Sequence, residues 1–173
     1  MHRSIVRRIP CLTAILAMLA GAAMAGGFSA DPDIRRIAEA YALDAVDVAR
    51  QNFGEKLDWS EGSIAKVEAM LAILHDSYVT AAQKPGDETV QTFAKMFGSY
   101  VGEVYRRHHG GTWGMVTIDG ARIPGIEDTS GGAFWPWGKV ANRIRNGPDD
   151  NVLLYYKLLV RDAAKARSSP SSD

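Results

Sequence analysis

The chain has almost no cysteine: Cys11 is the only one in 173 residues. It lies in a segment expected to be removed, and no small-residue lipobox precedes it, so the exported chain is expected to lack disulfides, thiol nucleophiles and cysteine metal ligands. Two common catalytic signatures are missing as well, since no serine stands in a G-x-S-x-G context and there is no H-E-x-x-H. The glycine pairs are not followed by the lysine-serine or lysine-threonine of a phosphate loop. Neither sign of charge is in excess, with 20 Lys and Arg against 20 Asp and Glu. Nucleic acid is not expected as a partner, because binding phosphates needs a concentrated basic surface. The two basic doublets, Arg35-Arg36 and Arg106-Arg107, read as solvated helix faces.

Long apolar runs are also scarce, and the one from Cys11 to Met24 falls short of the roughly 20 residues of a membrane span. Arg3, Arg7 and Arg8 precede it and Ala23-Met24-Ala25 follows it, which is the pattern of a secretory signal peptide over residues 1–25. Cleavage after Ala25 removes three basic residues and no acidic one, leaving 17 against 20. The 148 residues that remain fit one domain, 26–167, with a serine-rich tail over 168–173 that is expected to be disordered. Export points to a periplasmic or secreted protein without stable membrane insertion after cleavage.

Asp31-Pro32 reads as a helix start and Gly54 as its stop, with Ile34, Ile37, Ala38, Tyr41, Ala45, Val48, Ala49 and Asn52 on one face. Ser60 or Ser63 is expected to cap a second helix carrying Ile64, Val67, Leu71, Leu74 and Tyr78 to about Ala82. Pro85-Gly86 is a turn, and Asp87 can cap a third helix. In that helix Val90, Phe93, Ala94, Phe97, Val101, Val104, Tyr105 and His108 share a face, widened by Met96 and Tyr100, which implies a helix covered on more than one side. It stops at Gly110-Gly111, with Arg106, Arg107, His108 and His109 placed to compensate the helix dipole. From Trp113 to Ile118 the chain is β-prone, Asp119-Gly120 is a hairpin turn, and Ala121 to Ile123 can return as a strand. Pro124-Gly125 and Ser130 to Gly132 then bound a loop before a short strand, Ala133 to Trp135. Pro136 opens a helix that ends at Asn146-Gly147, and residues Pro148 to Asn151 cap a last one. The fold expected is α+β, a three-helix antiparallel core followed by a small antiparallel β-sheet and two C-terminal helices.

No complete catalytic set is legible, so no catalytic residue is assigned. His75 lies on the apolar face of its helix and reads as a hydrogen-bonded core or groove histidine. The alternative is a zinc site shared with His108 and a carboxylate. Glu103, four residues before Arg107, suggests an intrahelical ion pair on the polar face, with general acid or base chemistry as the alternative. Gly98 and Gly102 each cost about 1 kcal/mol in a helix interior, which asks for close approach by a helix, by Trp113 or by a ligand. Trp113, Phe134, Trp135 and Trp137 form either a packed mini-core or a platform for a sugar or peptide. Lys139 and Arg143, four apart, form a solvated surface or a carboxylate or phosphate site. The candidate ligand-binding residues are thus Gly98, Gly102, Trp113, Trp135, Trp137, Lys139 and Arg143.

The stretch YVGEVYRRHHGGTWG and the later FWPWGKVANRIRNGPDDNVLLYY resemble a widespread bacterial family of unknown function. Its pattern is G-E-V-x-R-R, then G-G-x-W, then P-x-x-K-V and a later N-G-x-x-D. Gly102, Glu103, Val104, Arg106, Arg107, Gly110, Gly111 and Trp113 match, as do Pro136, Lys139, Val140, Asn146, Gly147 and Asp150, whereas His108-His109 depart from it. The resemblance spans about Leu57 to Val160 and implies a domain extent but no activity. These features together point to a non-enzymatic binding or protein-interaction module in the cell envelope, with no cofactor and with a protein or cell-wall component as partner. The rival reading is a hydrolase acting on cell-wall polymer, using Glu103 or Asp119 with His75 or His108.

Overall fold

Asp31 begins the helical part as an N-cap, its carboxylate accepting from the amides of Asp33 and Ile34 at 2.9 and 3.3 Å. The helix α1 (Pro32–Phe53) follows and stops at Gly54, which adopts a left-handed φ of 67°. The computed structural model describes residues 27–118 and 120–168; the expected signal peptide, Asp119 and the tail beyond Ser168 lie outside the described residues. Ala38, Ala42, Ala45 and Ala49 form the buried line of α1. Small side chains bring α1 close to its neighbour and leave Ile37, read from the sequence as part of the inner face, 44% exposed at the rim.

The central element is α3 (Asp87–His109), in which every residue from Met96 to Tyr105 is buried. A helix enclosed around its whole circumference needs cover on each side, and α1, the sheet and α4 (Pro136–Asn146) provide it. The expected C-terminal helix α4 therefore belongs to the helical core. Glu39 early in α1 faces Arg106 late in α3, while Phe53 at the end of α1 lies edge-on to Phe97, so the two helices run antiparallel. The second helix, α2 (Ser63–Thr80), packs mainly on α4 and on α5 (Val152–Ser168). One cap differs from expectation. At the start of α2 the expected serine cap is present, Ser60 Oγ accepting from the Ser63 amide at 3.3 Å, whereas Asp87 does not cap α3 but pairs with Arg145. Asn151 caps α5 as predicted, accepting from the Leu154 amide at 2.7 Å.

The sheet is an antiparallel meander in the order β1 (Phe28–Ala30), β2 (Thr112–Ile118), β3 (Ala121–Glu127) and β4 (Ala133–Phe134). Ile118 pairs with Ala121, so β2 and β3 are joined as a hairpin where the sequence placed one. Strand β3 runs through Pro124-Gly125, which the sequence reading took as a loop boundary. Pro124 is tolerated because β4 reaches only Ile126 and Glu127, leaving β3 an edge strand at the proline. Strand β1, not anticipated at all, lies against Gly114, where a Cβ would come within 2.7 Å of the Phe28 ring. The α+β arrangement of three helices, a sheet and two further helices is the one expected.

Candidate functional site

Trp113 enters from β2 and lies across Gly102 of α3. A Cβ at Gly102 would sit 2.8 Å from Trp113 Cη2 and 2.9 Å from Ile126 Cδ1, so the glycine is the recess that admits the ring. The indole N–H then donates to Glu103 Oε1 at 2.9 Å. Glu103 is fully buried, contrary to its expected place on a solvated face. The physical reason is that the sheet covers the flank of α3 that a charged residue made look polar. Arg106 compensates the carboxylate with two bonds, Nε to Oε1 at 2.8 Å and Nη2 to Oε2 at 2.9 Å, while Arg107 Nε stands 3.5 Å from Oε2. Burial pushes the Glu103 pKa up, but the Arg106 and Trp113 bonds outweigh it and hold the group below its ordinary value. Arg107, read as a member of a solvated doublet, also lays its guanidinium 3.7 Å from the centre of the Trp59 ring.

Gly98 admits a different neighbour. A Cβ there would lie 2.8 Å from Trp137 Cα and 2.9 Å from the Pro136 carbonyl, so the start of α4 rests directly on α3. Because Trp135 and Trp137 flank Pro136, where the chain turns from strand to helix, they leave on different sides. Trp137 donates from Nε1 to Ser99 Oγ at 2.8 Å, lies 6.2 Å from Trp113 and edge-on to Tyr41 at 6.3 Å. Trp135 is 39% exposed and shares a separate pocket of about 240 Å³ with Lys139, Asn142 and Tyr155. The aromatic set is consequently divided: Trp113 and Phe134 are core, and the other two tryptophans serve different surfaces.

The largest concavity among those described, about 560 Å³, runs along α1 and is lined by Ile34, Ile37, Ala40, Tyr41, Asp44, Lys95 and Trp137. Its floor is aliphatic and aromatic, with the Lys95 ammonium 5.9 Å from the Tyr41 ring centre. Asp44 makes no hydrogen bond or ion pair among the described residues. The expected cationic pair is committed elsewhere, Lys139 to Asp150 at 2.8 Å and the buried Arg143 to Glu68 at 2.7 Å. Of the predicted ligand-binding residues, only Trp137 reaches this groove.

The histidines are held apart by their partners. His75 Nδ1 bonds to the Ile144 carbonyl at 2.9 Å, and His108 Nε2 bonds to the Trp59 carbonyl at the same distance. His108 is exposed, although its helical position had placed it on the core side; the last turn of α3 extends beyond the layer that covers the helix. Its neighbour His109 is the more buried of the two, with Nε2 at 2.7 Å from Glu61 Oε1 and its ring 5.1 Å from Tyr105. No group of three histidine, aspartate, glutamate or cysteine residues is placed to hold a metal among the described residues.

Sequence reasoning missed Trp59, Tyr100, Glu61 and Tyr156. Trp59 adopts φ 65°, uncommon for a bulky residue, and is held there by an amide bond to Tyr100 Oη at 2.8 Å and by the His108 bond to its carbonyl. Its only legible signal was an aromatic residue in a short connection between helices.

One solved structure, a crystal structure from Bacteroides thetaiotaomicron VPI-5482, is similar to this chain with a TM-score of 0.58 and 13% sequence identity. The match covers 79% of this chain and 48% of the other, so the chain spans about half the length of that protein. At that identity the likeness concerns the fold alone. No family model matches the chain, and no curated protein matches it.

Proposed function

We propose that the protein is an exported, non-enzymatic binding or protein-interaction module of the cell envelope and that it holds its partner in the α1 groove. The observation that carries this reading is the groove itself, open to solvent, with Ile37 at its rim and the Trp137 and Tyr41 rings in its wall. The Trp137 ring is fixed by Ser99, so little side-chain entropy is lost when a partner covers it. Apolar anchors in a recess bordered by a few charges are the usual anatomy of a binding surface, and here Asp44 and Lys95 supply those charges. The partner is a protein or a cell-wall component, met in the periplasm or outside the cell. No described helix is long and apolar enough to cross a membrane.

The rival hydrolase has less support. Glu103 is sealed beneath Arg106 and Trp113, while His75 and His108 are bonded to carbonyls in different segments. Asp119 lies outside the described residues.

The test is capture. Immobilised residues 26–173 are exposed to envelope extract and to purified cell-wall sacculi, and the retained material is compared with that held by Ile37→Asp. The substitution places a charge at an exposed rim and leaves the core intact, so unfolding should be unchanged. Loss of one apolar anchor of about 1.5–3 kcal/mol should lower the retained partner at least about tenfold. Equal retention by both proteins rejects the groove as the binding surface.

A further inference from the structure

A second cavity, of about 260 Å³, opens between the entry to α2 and the helix α5, lined by Glu61, Leu153, Tyr156, Lys157 and Val160. Its polar side is built with care. Tyr156 Oη donates to Glu61 Oε1 at 2.8 Å, and the His109 Nε2–H donates to the same atom at 2.7 Å. These two bonds fix the carboxylate's orientation and leave Oε2 with no donor among the described residues. The His109 bond, working against the cost of burial, keeps the Glu61 pKa below its ordinary value, so the group is ionised at neutral pH. Lys157, on α5, makes no hydrogen bond or ion pair among the described residues. Two opposite charges therefore border one cavity without pairing with each other.

We infer that this cavity binds a free aliphatic α-amino acid as its zwitterion, the ammonium on Glu61 Oε2 and the carboxylate on Lys157. Leu153 and Val160 receive the side chain. Both charges face solvent, so a ligand with one charge or none leaves at least one of them to water alone, whereas a zwitterion can form a charge-assisted hydrogen bond at each end. The volume lies just below the usual range of about 300–1,000 Å³ for ligand pockets, which suits a small molecule rather than a polymer.

Calorimetric titration of the chain over residues 26–173 with leucine, leucinamide and 4-methylpentanoate tests this, because the last two each lack one charge. Leucine should bind saturably, and each of the others at least about tenfold more weakly, the loss expected for one charge-assisted bond. Lys157→Gln should lower leucine affinity to that of leucinamide and leave leucinamide binding unchanged. Glu61→Gln keeps the Oε1 acceptor for Tyr156 and His109 and should lower leucine affinity to that of 4-methylpentanoate. Absence of saturable leucine binding, equal binding of leucine and leucinamide, or indifference to Lys157→Gln overturns the assignment. Because Lys157 is a surface residue, that variant decides the matter even where Glu61→Gln folds poorly. The Ile37→Asp variant should bind leucine as wild type does, so the two sites stand or fall separately.

Discussion

Replacing Glu103 with alanine should cost the fold about 3–5 kcal/mol, the usual penalty for removing one partner of a buried ion pair. Three donors lose their acceptor together: the Trp113 indole N–H, Arg106 Nε and Arg106 Nη2. Arg106 keeps only Glu39, 3.7 Å away and partly exposed, so its charge stays poorly answered. Native domains are stable by roughly 5–15 kcal/mol, and a loss of this size removes a large share of that margin. Urea denaturation monitored by tryptophan fluorescence measures it directly, and a loss below about 1 kcal/mol would mean that water replaces the carboxylate. The isosteric Glu103→Gln keeps an acceptor for Trp113 and loses only the charge, so it should cost less, about 1.5–3 kcal/mol. The two proteins should also differ with pH. The folded pKa of Glu103 lies below the ordinary glutamate value of 4.5, so the native state binds this proton less readily than the unfolded chain. Its stabilisation is complete above pH 4.5 and is lost as pH falls through the depressed folded value. Wild type and Glu103→Gln should therefore converge in stability below that window and separate above it. Parallel pH profiles for the two would remove the charge from the account.

What the sequence made legible follows the strength of its local signals. Asp31-Pro32 and Gly54 bound α1, Asp119-Gly120 marks the hairpin, and Pro136 with Gly147 bounds α4, because each is a backbone requirement that few residue types meet. The strand β1 escaped notice because three residues carry no period. The strand β3 was cut short because a proline reads as a stop unless its edge position is known. Glu103 and His108 were exchanged between inside and outside for a single reason. Periodicity assigns a residue to a face by its angle around the helix, whereas burial depends on which neighbour covers that face and how far along the helix the cover extends. The groove was illegible in the same sense. Ile37 and Tyr41 belong to the apolar stripe of α1, and only the closeness brought by Ala38, Ala42, Ala45 and Ala49 turns that stripe so that Ile37 is left at its edge. The polar residues that carried the family resemblance are bonded to one another, Glu103 with Arg106 and Trp113, and Asp150 with Lys139 and Asn146. That pattern accounts for how α3 meets the sheet and how α4 meets the turn after it, and it names no ligand.

The second large effect is expected at Gly98. Substitution by alanine gains about 1 kcal/mol of helix propensity, so in an open helix the change would stabilise. Here the new Cβ meets the Trp137 Cα at 2.8 Å and the Pro136 carbonyl at 2.9 Å, which are backbone atoms that no rotamer change can move. The start of α4 must shift outward, and overpacking of this kind costs about 1–3 kcal/mol, or more where the backbone has to move. The net result should be a destabilisation of up to about 2 kcal/mol, seen as a lower urea midpoint at unchanged slope. Gly62 supplies the control: it has helical angles and nothing nearer than Ser60 Oγ at 3.7 Å, so Gly62→Ala should be neutral or stabilising by up to about 1 kcal/mol. The two alanines should thus act with opposite sign, which a general effect of losing glycine flexibility would not produce. Gly98→Ala should also disturb the groove, because moving the start of α4 carries the Trp137 ring with it and breaks its bond to Ser99. Under conditions where the variant is still folded, a shifted tryptophan emission with weaker partner capture is the expected pair of results. A variant that loses stability but captures its partner as wild type does would show that Trp137 is not part of the binding wall, and would leave Ile37 and Tyr41 to hold the partner from α1 alone.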